Sequence, residues 1–243
     1  MREVTVLEKI YRNAKQAKAS LARMVNELLE LDATVAFVSK GAREWATIGL
    51  EGPDEEVAAK YVASRLGTVA RLEELAEGQI RRGKIIDIGK VGYGIYVDVG
   101  AFDSSGSPVD ALIPAFSLKR SLGVQGNIGV KRIASLLGLM DYLPLNTRIV
   151  KVDLGASEIM GRLTVAQARH LERRGNRFYV CGETRGRIKN AIERTGNTAR
   201  ILRVKRLGLL ECEVECRKGV KPQEVLRQIG PMLNAKVTVP RGL

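Results

Sequence analysis

Tyr93 and Tyr96 stand three positions apart, with Gly94 between them and Lys84 and Lys90 just upstream. Aromatic rings among cations supply what a single nucleic-acid strand requires: π-faces for bases and positive charge for phosphates. On a regular strand these two rings have opposite parity and point to opposite faces. Gly94 lacks a Cβ, so a bulge there brings both rings to one surface. Packing of one ring in a core is the competing reading. Lys84, Lys90, Lys119, Arg120, Arg148, Lys151 and Arg162 are the cations expected to line a groove around the rings.

A second basic run comprises Arg169, Arg173, Arg174, Arg177, Arg185, Arg187 and Lys189, against Glu172 and Glu183 alone. Arg185-Gly-Arg187 falls near a helix N-terminus, where backbone N–H groups and guanidinium forks together favour phosphate. Docking onto the acidic first part of the chain is the competing use. The charge is polarised: residues 1–77 sum to −2, 78–163 to +4 and 164–243 to +11, of a total of +13. Such a gradient points to an extended polyanion as partner, with the first segment facing something else.

Catalysis finds little support. His170 is the one histidine, which removes His-based triads and most zinc hydrolase sites. Gly89 to Gly94 is glycine-rich but leads into a strand, so it lacks the helix that a phosphate cradle needs. Asp98, Asp103 and Asp110 read as solvated loop acids. Cys212 and Cys216 share parity with Leu210 and Val214 and are expected to face inward, and C-x3-C with a distant Cys181 is poor zinc spacing. The reading therefore expects no catalytic residue, no metal and no cofactor. No apolar h-region follows Met1 and no apolar run approaches a membrane span, so a cytoplasmic protein is expected.

Periodicity sets out the elements that must position these residues. Residues 1–77 read β-α-β-β-α-β, the ferredoxin-like order, with an apolar stripe from Ala14 to Leu31 and a closing strand from Thr68 to about Leu72. The same order recurs after residue 176, where strands Thr198–Arg206 and Leu209–Arg217 form a hairpin. Pairing Arg203 with Glu211 there makes a cross-strand charge ladder with Glu213 and Glu215. Between lie five short strands, with Ile133–Met140 as a helix between the third and fourth.

The middle segment resembles the S1-type OB-fold domain, the RNA-binding repeat of the largest bacterial small-subunit ribosomal protein. Tyr93-Gly94-Ile95-Tyr96-Val97 matches its aromatic segment, and Ala111 to Leu118 its third strand, with Pro114 where many members carry histidine. Glu158 and Arg162 fall where that family often places an acid and an arginine beside RNA. Glycine-to-aromatic spacing about two residues longer than usual, and an insertion at 123–141, depart from the pattern. A central S1-like domain between two α/β domains is similar to an uncharacterised archaeal family. The expectation is an α+β chain: a ferredoxin-like domain at 1–77, an S1-like OB barrel at 78–163, and a basic connector with a second ferredoxin-like domain at 164–243. The expected function is RNA binding without catalysis, associated with the ribosome or translation. The alternatives are an adaptor gripping a protein partner through residues 1–77, and a small-molecule-binding regulator.

Overall fold

The structure, a computed structural model, describes residues 1–173 and 175–242. Its first unit contains β1 (Arg2–Lys9), α1 (Ala14–Leu28), β2 (Thr34–Lys40), β3 (Trp45–Glu51) and α2 (Glu55–Leu66). The strands pair antiparallel in the order β1-β3-β2. Ala17, Leu21 and Val25 turn the buried stripe of α1 onto this sheet. Helix α2 starts with Glu55 and Glu56 at its positive end and stops at Gly67, whose φ of 71° few other residues adopt easily.

The expected closing strand is divided. Thr68 makes a single antiparallel bridge to Val6, and then β4 (Ala70–Arg71) crosses over and pairs parallel with the next unit. Leu72 and Leu75 explain the early departure, because both are buried in the central core rather than the first one.

That central unit is a closed five-stranded barrel. Its strands are β5 (Ile80–Ile86), β6 (Gly94–Phe102), β7 (Pro108–Pro114), β8 (Pro144–Asp153) and β9 (Glu158–Leu163). Around the barrel the order is β6-β5-β8-β9-β7, returning to β6. Only the β7–β9 contact is parallel among these five pairings. Two helices, not one, fill the third connection: α3 (Ala115–Ser121) and α4 (Val130–Leu137). Pro114 ends the third strand, so residues 115–118, which the S1 resemblance aligns with that strand, turn into α3 instead.

The expected connector is also structured. Helix α5 (Val165–Glu172) is capped by the Thr164 hydroxyl, which accepts from the Gln167 N–H, and it packs Ala168 and Leu171 into the barrel core. The last unit holds β10 (Arg177–Cys181), α6 (Arg185–Arg194), β11 (Ile201–Arg206), β12 (Glu211–Cys216), α7 (Pro222–Ile229) and β13 (Lys236–Thr238). Its antiparallel sheet has the order β11-β12-β10-β13.

The hairpin register differs from the expected ladder. Arg203 faces Glu215 and Lys205 faces Glu213, because the turn takes in Leu207 to Leu210. The reason is packing: Leu209 and Leu210 leave the hairpin to fill the core of the first unit. Cys212, Val214 and Cys216 remain in the core of their own unit. Tyr179 and Cys181, on the opposite face of β10, join the barrel core. The three cores therefore interlock through side chains lent by the last unit.

Candidate nucleic-acid interface

Ile95 and Val97 face the barrel interior, so alternation turns Tyr96 outward. Tyr93 precedes the strand and escapes its parity altogether. Gly94 permits this, since a Cβ there would lie 2.6 Å from the Ile113 carbonyl oxygen across the β6–β7 pair. The two rings meet edge to face at 6.4 Å, with their hydroxyls 3.0 Å apart. That hydrogen bond, then partial burial and the nearby charges of Glu158 and Asp110, raise the pKa of Tyr96. Tyr96 therefore presents aromatic surface without a repelling charge. Tyr93 is 57% exposed.

From Tyr96 a strip of outward side chains crosses the barrel, through Leu112 on β7 to Met160 on β9. Met160 lines a groove of about 860 Å³ between the barrel, α3 and α5. Arg120, Arg148, Arg162 and Arg169 border it, with Glu172 as the one acid among its lining residues. Arg148 and Arg162 sit directly opposite each other on β8 and β9. Like charges so placed cost stability unless something else neutralises them. Among the described residues, none of the four arginines has an ion-pair partner. Arg148 does donate to the Gly78 carbonyl at 2.9 Å.

Apolar side chains are exposed on the same walls: Phe116, at 71%, with Ile80, Val150 and Val165. Phe116 follows directly on Ala115, whose N–H donates to the Tyr93 carbonyl at 2.7 Å. The tyrosine pair and the groove are thus neighbours at one end of the barrel. Aligning 111–118 with the S1 third strand concealed Phe116; Pro114 was the signal that a new element starts there.

Three family models match the sequence: the N-terminal domain of DUF2110 over residues 3–72, its central domain over 75–173, and its C-terminal domain over 175–240. Between them they span almost the whole chain, in order. The chain belongs to the DUF2110 family. A search of curated proteins gave no match. A solved structure of an uncharacterized protein from Methanocaldococcus jannaschii aligns with 37% of this chain and 95% of its own, at 13% identity and a TM-score of 0.25.

Several expected contacts of this DUF2110 chain lie elsewhere. Lys84 is no groove lysine: it is fully buried, with Nζ 2.5 Å from Glu211 and 3.2 Å from Glu8. It points outward from the barrel, but the other two units cover that side. Arg177 is likewise buried, donating to the His170 and Leu171 carbonyls at 2.8 and 3.1 Å to hold the end of α5. Asp98 is not a solvated acid; Lys9 reaches it at 2.6 Å and Arg43 at 3.3 Å. Arg43 also pairs with Asp110 at 2.8 Å.

Other residues remain exposed with their charge shared. Lys90 pairs with Asp87 at 2.7 Å, Lys151 with Asp153 at 2.9 Å, Arg173 with Glu213 and Glu215, and Arg187 with Glu183 at 3.3 Å. Lys119 is half-buried on α3, and Glu158 is exposed at the start of β9. Arg185 and Lys189 project from α6, where they border a separate cleft facing α1. The basic run after Arg169 therefore divides among different surfaces and forms no single face; Arg174 lies outside the described residues.

Proposed function

We propose that this chain binds RNA without catalysing its conversion, through the barrel face carrying Tyr93, Tyr96 and Phe116 and the arginine groove beside them. The observation that carries the reading is the set of four arginines without carboxylate partners among the described residues, two of them directly opposed across β8 and β9, next to exposed aromatic rings. A strand of phosphates relieves that repulsion while the rings accept bases. The barrel order supports an S1-type OB assignment, since OB folds are five-stranded Greek-key barrels that bind oligonucleotides. The orders β1-β3-β2 with the Thr68 bridge beside β1, and β11-β12-β10-β13, support a ferredoxin-like reading of both flanking units. Single-stranded segments of structured RNA, such as those of the ribosome, are the partners this reading favours.

RNA binding across a salt series tests it. Four phosphate contacts predict a log–log salt slope of about −3 for a single strand. Tyr93→Ala/Tyr96→Ala is expected to weaken binding at least tenfold, from roughly 1–3 kcal/mol per stacked ring. Arg120→Ala/Arg162→Ala is expected to make the slope shallower by about 1.4. Binding unaffected by both pairs of substitutions would overturn the proposal.

A further inference from the structure

A second concavity lies on another side of the molecule, where the barrel, α5 and the β11–β12 hairpin converge. It measures about 510 Å³, within the range of small-molecule sites, and junctions between domains are where such sites concentrate. Lys205 projects over it from the hairpin, and Arg206 borders both it and the cleft facing α1; both are exposed and without ion-pair partners among the described residues. Arg82 borders the opposite wall, its guanidinium held by the Leu207 carbonyl and by Glu8 at 3.5 Å. No acidic side chain lines the cleft.

Tyr179 forms part of its floor. That ring is 1% exposed, and its hydroxyl lies against the buried Glu213 carboxylate. Burial also pushes its pKa up to about 12, so at neutral pH it is a donor.

We propose that this cleft is a binding site for a small phosphate-bearing molecule of about nucleotide size, distinct from the barrel groove. Two cations without ion-pair partners among the described residues match the double negative charge of a phosphomonoester, and the remaining volume exceeds what phosphate alone fills. Both walls belong to different domains, so the ligand bridges the barrel to the last unit. Such a ligand, binding only the docked arrangement, raises the melting temperature.

His170 lines the same cleft and is the chain's one histidine, so its ring signal in NMR is a unique reporter there. The probes are inorganic phosphate, AMP and adenosine, titrated into the full chain at constant ionic strength. AMP is expected to shift the His170 signal saturably, phosphate to do so more weakly, and adenosine to leave it unmoved. Lys205→Ala/Arg206→Ala, at exposed positions, is expected to weaken AMP at least tenfold. Tyr93→Ala/Tyr96→Ala is expected to change nothing, which separates this site from the RNA face. An unmoved signal with AMP, or an equal response in the Lys205/Arg206 variant, overturns the proposal. A response confined to a 5′-phosphorylated oligonucleotide also overturns it and assigns the cleft to RNA.

Discussion

Lys84 carries its charge out of contact with water, and Glu8 and Glu211 face it from two different units. Burial pushes the Glu8 carboxyl up, but Lys84, Arg82 and the Leu209 N–H outweigh it and leave the pKa below its ordinary value. For Glu211 burial wins and the pKa is raised; for Lys84 the two carboxylates win and the pKa is raised. The signs set the pH range of the fold. Glu8 contributes stability that is present above its unfolded pKa, about 4.3, and lost as pH falls through its lower folded value. Protonating Glu211 has the opposite sign and favours the folded state. The stabilisation from Lys84 holds below about 10.4 and is lost as pH rises through its folded pKa. Glu8→Gln is therefore expected to flatten the acid limb of the melting temperature against pH, while Glu211→Gln keeps it. Thermal melts from pH 3 to 8 read the difference, and a steep acid limb surviving in Glu8→Gln would sink the assignment. Lys84→Ala strands two buried carboxylates and is expected to cost about 3–5 kcal/mol in urea unfolding. At this scale sequence reading marked Arg120, Arg148, Arg162 and Arg169, which border one groove, and Tyr93 and Tyr96, which meet edge to face beside it. It misplaced Lys84, because alternation tells inside from outside a barrel but not which outer side another domain covers.

Tyr96 lies on β6 and Tyr93 just before it, and the close approach of β6 to β7 depends on Gly94. An alanine Cβ would press on the Ile113 carbonyl oxygen and on a Leu112 methyl, one rigid and one belonging to the outward strip. Gly94→Ala is expected to destabilise by roughly 1–3 kcal/mol and to weaken RNA binding by more than its loss of stability explains, as Tyr93 is displaced. A thermal melt and an RNA titration at a temperature well below the transition check both parts. Normal affinity in this variant would mean that the position of Tyr93 is not what the glycine secures. Elements with one buried face were legible in the sequence: the stripe Ala17, Leu21, Val25 of α1 has a single period. β12 misled, because Glu211 and Glu213 are as buried as Cys212 and Val214. Its charged face looks solvated by pattern alone, yet it closes against other units through Lys84, Tyr11 and His170.

The units exchange parts of their cores: Leu209 and Leu210 go to the first, Tyr179 and Cys181 to the barrel, and Leu72 and Leu75 mark where the first unit's chain enters the barrel. Buried charges tie the same seams, with Lys9 on Asp98 at 2.6 Å and Tyr11 donating to Glu211 at 2.8 Å while stacked on Tyr142 at 3.8 Å. Breaking one seam exposes apolar surface and leaves charges such as Asp98 and Lys84 without partners. The penalty for separating a buried pair, about 3–5 kcal/mol, is comparable with the whole stability of many domains, about 5–15 kcal/mol. Units joined this way have no favourable partly docked state. The chain is therefore expected to unfold in one calorimetric transition, with equal calorimetric and van't Hoff enthalpies, despite its three cores. Deleting residues 1–77 is correspondingly expected to abolish cooperative unfolding of the remainder, so loss of a partner in that variant reports misfolding and not a lost docking surface. Lys9→Met keeps the chain whole and gives the sharper test: it orphans Asp98 at one seam, and the expected outcome is a lower melting temperature with a single transition retained. Two resolved transitions in that variant, or in the wild type, would show that the units fold independently and that the shared side chains contribute little to their docking.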